Sequence, residues 1–399
     1  MRTVGVVTTT RADYGPYLPV LRQIQADPDL DLYLIVSGMH LSPEFGMTVR
    51  AIEQDGFEIL DRVDMLLASD TPEGISKSMG LGTIGFAQSY ARFQPDILLV
   101  LGDRFEMHSA VVAALPFKIP VAHIGGGEAT EGAIDESIRH SITKMSHLHF
   151  VSTDAYAERV IQMGEEPWRV VVSGAPSLDS LNSFTPETWT ELQNKWNFDL
   201  AGPVLLVTFH PVTLSYESTG DYMEQLLDAL DGSGFDLIFT YPNADTHGRQ
   251  IISMIERFTS NHPRSWAASS LGTESYFSLM THATAMVGNS SSGIIESSSF
   301  KLPVVNIGDR QQGRIQSKNI LNVGYRREEI REGIKTASSP GFRDSLSGVE
   351  NPYGDGHAAE RIVKGLKSVA IDDALLMKRF YSDSPASHKE RLQASRSSV

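Results

Sequence analysis

Apolar residues fall into two alternating textures along the chain. Short, nearly uninterrupted β-branched and apolar runs occur at TVGVVTT (3–9), DLYLIVS (31–37), DILLVLG (96–102), IPVAHI (119–124) and LHFVST (148–153). Between them lie longer stretches with helical spacing, for example YLPVLRQIQAD and EMHSAVVAALPF. Strands that are apolar throughout belong to parallel sheets covered on both faces. The pattern restarts at PVLLVTF (203–209), FDLIFTY (235–241), TAMVGN (284–289) and PVVNIG (303–308). Strand–helix alternation, twice over, predicts an α/β chain of two Rossmann-like domains facing a cleft. The expected divisions are 1–175, 176–380 and a flexible tail over 381–399. The connection falls near 174–186, in a stretch rich in Pro, Ser and Asn.

Composition narrows the reading. A chain of 399 residues is too long for one ordinary core and ample for two. Its 41% hydrophobic and 21% charged residues are those of a globular protein. No apolar run is long enough to span a bilayer, and MRTVGVVTTT reads as a strand, not a signal peptide. A cytoplasmic location is expected. There are no cysteines, which excludes disulfides, thiolate metal sites and a Cys nucleophile. With 49 acidic against 34 basic residues, the net charge of −15 argues against nucleic acid or an anionic membrane as partner. An anionic small ligand would need its positive groups concentrated locally.

In open α/β sheets ligands sit beyond the carboxyl ends of the strands, and polar residues gather there. The first strand run is followed by TTTRADYGP, with Arg11, Asp13 and Gly15 expected in a loop. No G-x-G-x-x-G follows it, which argues against a dinucleotide. LGDRFEMHSA places Asp103, Arg104 and Glu106 at a helix start, where an N-cap explains the acids but not the arginine. AHIGGGEATEGAIDESIRHSITKMSH carries Glu128, Glu131, Asp135 and Glu136. Asp135 with Arg139, and Glu136 with His140, have the spacing of helix-surface ion pairs. Clustered carboxyls in a desolvated cleft equally suit acid–base chemistry on carbon. A metal site from His123, Glu128, His147 and His149 is disfavoured, because SHLHF alternates as a strand does. In the second half His210, then Asn243 and Asp245, then Ser290 and Ser291, then Arg310 and Arg314 each follow a strand run. Hydroxyls, helix N–H groups and arginine together read as donors to a nucleotide diphosphate, with Glu296 placed to reach a ribose.

The strings TRADYG, GDRFE, GGEATEGAIDESIRHSITKMSH, HPVT, NAD and GNSSSGIIES…NIGDRQ.GR, in this order, resemble the hydrolysing UDP-N-acetylglucosamine 2-epimerases from about residue 5 to 365. The resemblance implies a two-domain glycosyltransferase-B-like fold and no redox cofactor. It also implies anti elimination of UDP from a UDP-linked 2-acetamido sugar, then hydration of the glycal to the free C2-inverted sugar. It places UDP contacts on Arg11, Gly15, Arg104, His210, Asn243, Asp245, Ser290, Ser291, Glu296 and Arg310, and acid–base roles on Asp103 and Asp135. His210 is also a candidate for catalysis. A homo-oligomer, dimer or tetramer, is expected.

One departure stands out. Sialic-acid enzymes of this kind resemble H-I-E-G-G-E where this chain reads HIGGGE, so Gly125 replaces a proposed catalytic glutamate. Either Glu128 or Glu131 covers its role, or the sugar differs. The branch acting on UDP-2,4-diacetamido-2,4,6-trideoxyglucose, leading to legionaminic acid, also looks similar. The alternatives are a non-hydrolysing 2-epimerase, a glycosyltransferase of the same fold, and a nucleotide-sugar-binding module without turnover.

Overall fold

The computed structural model describes residues 1–69, 71–131, 133–212, 217–242 and 247–382. Two parallel sheets organise the chain. The first contains β1 (Arg2–Thr8), β2 (Leu30–Ser37), β3 (Ile59–Val63), β4 (Ile97–Leu101), β5 (Val121–Ile124), β6 (Leu148–Val151) and β7 (Val170–Val172) in the order β3-β2-β1-β4-β5-β6-β7. The second contains β8 (Val204–Thr208), β9 (Asp236–Thr240), β10 (Ser265–Ala268), β11 (Ala285–Gly288), β12 (Val304–Ile307) and β13 (Ile320–Val323) in the order β10-β9-β8-β11-β12-β13. Both orders reverse direction once, between β1 and β4 and between β8 and β11. These are the switch points at which doubly wound sheets open a crevice.

The strand runs behave as their composition requires. Within β4, Ile97 and Leu99 face one buried layer while Leu98 and Val100 face the other. In β8, Leu205 and Val207 divide from Val204 and Leu206 in the same way. Helices Pro72–Arg92 and Phe105–Ala114 cover one face of the first sheet, and helix Arg11–Ala26 covers the other. That last helix starts earlier than expected. Thr10 caps it, and Asp13 returns the bond to the Thr10 backbone, so residues 11–15 are its first turn and not a loop.

The expected connection forms a 3-10 helix, Pro176–Ser183, with Ala175 and Leu178 buried. The division at 175/176 also misses a return of the chain. Helix Ala358–Ser368 buries Ala358, Ala359, Ile362, Val363 and Leu366 in the first core, although they fall within the expected second unit of 176–380. Its apolar stripe fits the face of Arg11–Ala26, and Asp179 caps its first N–H groups at 2.9 and 2.6 Å. From 383 onward the expected tail lies outside the described residues. No helix among the described residues is long and apolar enough to cross a membrane.

Candidate active site

The carboxyl ends of the two sheets meet. Arg11, after β1, donates from Nη2 to the Tyr241 carbonyl after β9 at 2.6 Å. Burial lowers its pKa to about 10, so it stays cationic near neutrality. Gly15 lies one turn further on, where a Cβ would stand 2.9 Å from Thr273 Oγ1 on helix Gly272–His282 of the second unit. The structure thus gives Gly15 a close-packing role between the units. Asp13 is absorbed locally: it is buried and accepts from the backbone N–H groups of Thr9 and Thr10 and from three threonine hydroxyls.

At the other side of the first switch point, Arg104 occupies the N-cap position of helix Phe105–Ala114 without a side-chain capping bond and pairs with Glu106 at 3.1 Å. Glu106 is fully buried, which gives Arg104 the purpose that the N-cap reading lacked. The neighbouring Asp103 accepts a hydrogen bond from Nη2 of Arg139. Arg139 is not the helix-surface partner of Asp135 that its spacing predicts. It is 1% exposed, and also donates to Glu136 at 2.9 Å, Thr130 Oγ1 at 2.7 Å and the Glu128 carbonyl at 3.1 Å. Burial drives its pKa down, with Arg314 the next contributor. One guanidinium therefore ties the segment after β4 to both ends of the segment after β5. Asp135 begins helix Asp135–Met145 and is half-buried. The expected Glu136–His140 pair does form, at 2.9 Å. Burial works to raise the pKa of Glu136, but the bonds from His140 and from the Thr130 N–H outweigh it and hold it low.

Glu128 and Glu131 differ sharply. Glu128 is buried, with Oε2 2.8 Å from Nη1 of Arg314 and Oε1 accepting from Ser152 at 3.1 Å. Glu131 is exposed, and its backbone N–H reaches the Gln312 carbonyl at 3.4 Å. Gly125 has φ +85°, in the left-handed region that penalises any side chain. A Cβ there would meet Glu128 Oε1 at 3.8 Å and the Gly102 backbone at 3.9 Å. The space at Gly125 is therefore open, the backbone is hostile to a glutamate, and Glu128 is the carboxylate beside it. The three histidines considered as metal ligands have structural partners. His123 Nε2 meets the Gly102 carbonyl at 2.8 Å, His147 Nδ1 accepts from the Val121 N–H at 3.1 Å, and His149 pairs with buried Glu165 at 2.9 Å.

The second switch point is built around Asn289. Its side chain accepts from the His210 N–H at 2.7 Å and donates to the His210 carbonyl at 2.9 Å, locking the ends of β8 and β11 together. Gly288 just before it has φ +139°, and a Cβ would lie 1.9 Å from the Thr208 carbonyl, so only glycine fits. Ser290 Oγ accepts from the Ser292 N–H at 3.3 Å, and Ser291 stands at the N-cap position of the single turn Ser292–Ile295 without a side-chain capping bond. Arg310 and Gln311, after β12, both donate to the Asn289 carbonyl, at 3.1 and 2.8 Å. Glu296 lies buried behind the serines, accepting from Ser177 of the connection. Burial pushes its pKa up to about 7 against the lowering effect of Ser177, Ser292 and Arg314. Asn243 and Asp245 lie outside the described residues.

The family model for UDP-N-acetylglucosamine 2-epimerase matches residues 22–367. The chain belongs to this 2-epimerase family. Among similar proteins is one from Campylobacter jejuni subsp. jejuni named GDP/UDP-N,N'-diacetylbacillosamine 2-epimerase (hydrolyzing). It is 39% identical over 94% of this chain and 97% of its own. A Legionella pneumophila protein named UDP-N,N'-diacetylbacillosamine 2-epimerase (hydrolyzing) is 35% identical over 95% of this chain and 99% of its own. The fold is shared with a crystal structure of UDP-GlcNAc 2-epimerase from Neisseria meningitidis bound to UDP-GlcNAc. That match has a TM-score of 0.78, covering 92% of this chain and 100% of that one at 19% identity. Sequence reasoning missed Arg139 as the hub of these carboxylates, and Asn289 and Gln311 altogether. It named Glu136 as one of four clustered carboxyls and Arg314 as a phosphate donor, but not the ion pair from Arg314 to Glu128. Arg139 carried a signal, since Glu136 and Asp135 stand three and four positions before it, but its burial was invisible.

Proposed function

We infer that the protein is a hydrolysing UDP-sugar 2-epimerase, which releases UDP and a free C2-inverted 2-acetamido sugar. The observation that carries the reading is the division of labour between the facing switch points. One holds carboxylates wired to buried arginine, and the other holds hydroxyls, backbone N–H groups and Arg310. A carboxylate takes the C2 proton as the C1–O bond to UDP breaks, leaving a C1=C2 double bond. Water then adds its hydroxyl at C1, and a proton enters C2 from the opposite face. The sum is UDP-sugar plus water giving UDP plus the epimerised sugar, and neither step needs a redox cofactor.

Asp103 and Asp135 are proposed for proton transfer, with Glu128 in preference to Glu131 as the group covering for Gly125. His210, Ser290, Ser291, Glu296 and Arg310, with Arg11 and Arg104 across the cleft, are proposed to meet UDP, whose departing charge needs preorganised donors. The names of the Campylobacter and Legionella relatives and the open space at Gly125 support the diacetamido-trideoxy sugar as substrate over UDP-N-acetylglucosamine. A cytoplasmic homo-oligomer, dimer or tetramer, is proposed with this reading and is tested by cell fractionation and light scattering. The deciding experiment is incubation with each UDP-sugar in deuterated water. Free UDP equal in amount to a C2-inverted, C2-deuterated free sugar is expected. Deuterated epimer that stays attached to UDP would overturn the hydrolytic reading.

A further inference from the structure

The loop after β12 touches both halves of the site. At its start Arg310 and Gln311 hold the Asn289 carbonyl, next to the serine turn proposed for phosphate. At its end Arg314 crosses to the first unit, where it meets Glu128 at 2.8 Å and Thr130 Oγ1 at 3.3 Å. Between them, Gly313 packs so closely that a Cβ would stand 2.7 Å from Glu131 Oε1 and 2.8 Å from the Ala129 Cβ. The Gln312 carbonyl accepts from the Glu131 N–H. Beyond Arg314 the backbone of Ile315 is gripped by the Tyr156 hydroxyl at 3.1 Å and the Tyr353 hydroxyl at 2.9 Å. The loop is therefore anchored at both ends.

We propose that Arg314 is a positioning residue, which lets the nucleotide-binding unit set the carboxylate of Glu128 for the proton transfers at C2. This rests on the 2-epimerase reading and adds to it a residue and a coupling route. Arg314 is 6% exposed on its side chain; among the described residues its Nε has no hydrogen-bond partner, and its Nη1 meets Glu128 as an ion pair without hydrogen-bond geometry. Leaving a buried donor unsatisfied is costly, so stability alone does not account for bringing a guanidinium here. Burial opposes its charge, and Glu128 is the leading group that outweighs burial. Among the described residues, the Glu128 carboxylate meets Arg314 from the second unit and Ser152 from the first. If the units separate, Glu128 loses its charged partner and keeps only the serine. The carboxylate is thus complete only while the loop that bears Arg310 is docked.

The test is a set of variants read by kcat, KM and UDP affinity, with the wild type first shown to release UDP. Arg314→Gln should lower kcat by about 100-fold, the scale of a misplaced reacting group, while calorimetric UDP affinity stays within about threefold. Arg314→Lys, which keeps the charge without the two-armed geometry, should recover part of the lost kcat. In a Glu128→Gln background, Arg314→Gln should cost little more, because coupled residues are not additive. If Arg314→Gln fails to fold, Arg314→Lys and the double variant carry the test. Wild-type kcat in Arg314→Gln, equal losses in kcat and UDP affinity, or full additivity with Glu128→Gln would each overturn the proposal. A wild type that releases no UDP would instead remove the 2-epimerase reading on which it rests.

Discussion

The two sheets share one strand order apart from the extra edge strand β7, yet their switch points are lined with opposite chemistry. Between β1 and β4 the chain places carboxylates and buries a cation, Arg139, to hold them. Between β8 and β11 it places Asn289, serines and a glycine whose backbone admits no side chain. The same scaffold thus yields an acid–base wall and an anion cradle, and the difference resides in a few residues just past the strands. Fold alone does not assign chemistry; here it assigns only the places where chemistry is put.

The largest effect should come from Asp103→Asn. It should lower kcat by about 10³-fold or more, within the range for loss of general acid–base catalysis, and leave UDP affinity nearly intact. Asp135→Asn should act in the same direction. Near-normal turnover in either variant would make that aspartate structural and blur the contrast between the walls.

Arg139→Met should lower unfolding free energy by about 3–5 kcal/mol in urea titration, because it strands Asp103 and Glu136 beside a vanished cation. No change would mean that the buried hub does not hold the acid–base wall together.

Glu296 sharpens the comparison on the cradle side. Its folded pKa of about 7 lies above the unfolded value, so the folded state takes up a proton between them. Its stabilising contribution is full below the unfolded pKa and is lost as pH rises through about 7. Glu296→Gln should flatten the stability–pH curve between about pH 5 and pH 8, by up to about 3 kcal/mol. An unchanged slope would place the titration elsewhere.

His210→Ala and Arg310→Ala should each weaken UDP binding by about 1.5–3 kcal/mol in calorimetry, with Ser290→Ala weaker because backbone donors remain. Equal affinity in all three would remove the cradle from the nucleotide site. The smallest effect belongs to Gly125→Ala, which should cost about 1 kcal/mol of stability through its positive φ alone. Comparing it with Gly125→Glu separates backbone strain from the carboxylate. Only the glutamate variant should shift kcat/KM away from the diacetamido sugar nucleotide.

The strands that the sequence revealed are the central ones, whose two buried faces force continuous apolar runs. The four it concealed, β3, β7, β10 and β13, are the edges of both sheets, where one side meets solvent and the run is broken by residues such as Asp61, Arg62 and Asn322. The site divides similarly. Residues just beyond strands were legible because parallel topology compels them to gather, and the serine turn was legible through its glycine flank. Arg139 looked like a surface pair because spacing along a helix does not say which face is buried.

By itself, then, the sequence determined the doubled α/β pattern, the acidic balance and the polar strand ends, since each follows from local periodicity and residue type. Tertiary structure alone decided which carboxylate stands beside Gly125 and which cation holds Asp103. It also decided that Arg314 reaches Glu128 and that helix Ala358–Ser368 returns to the first core. Those contacts join residues far apart in the chain, and pairing at such separation is set by how buried faces and charges are satisfied in three dimensions.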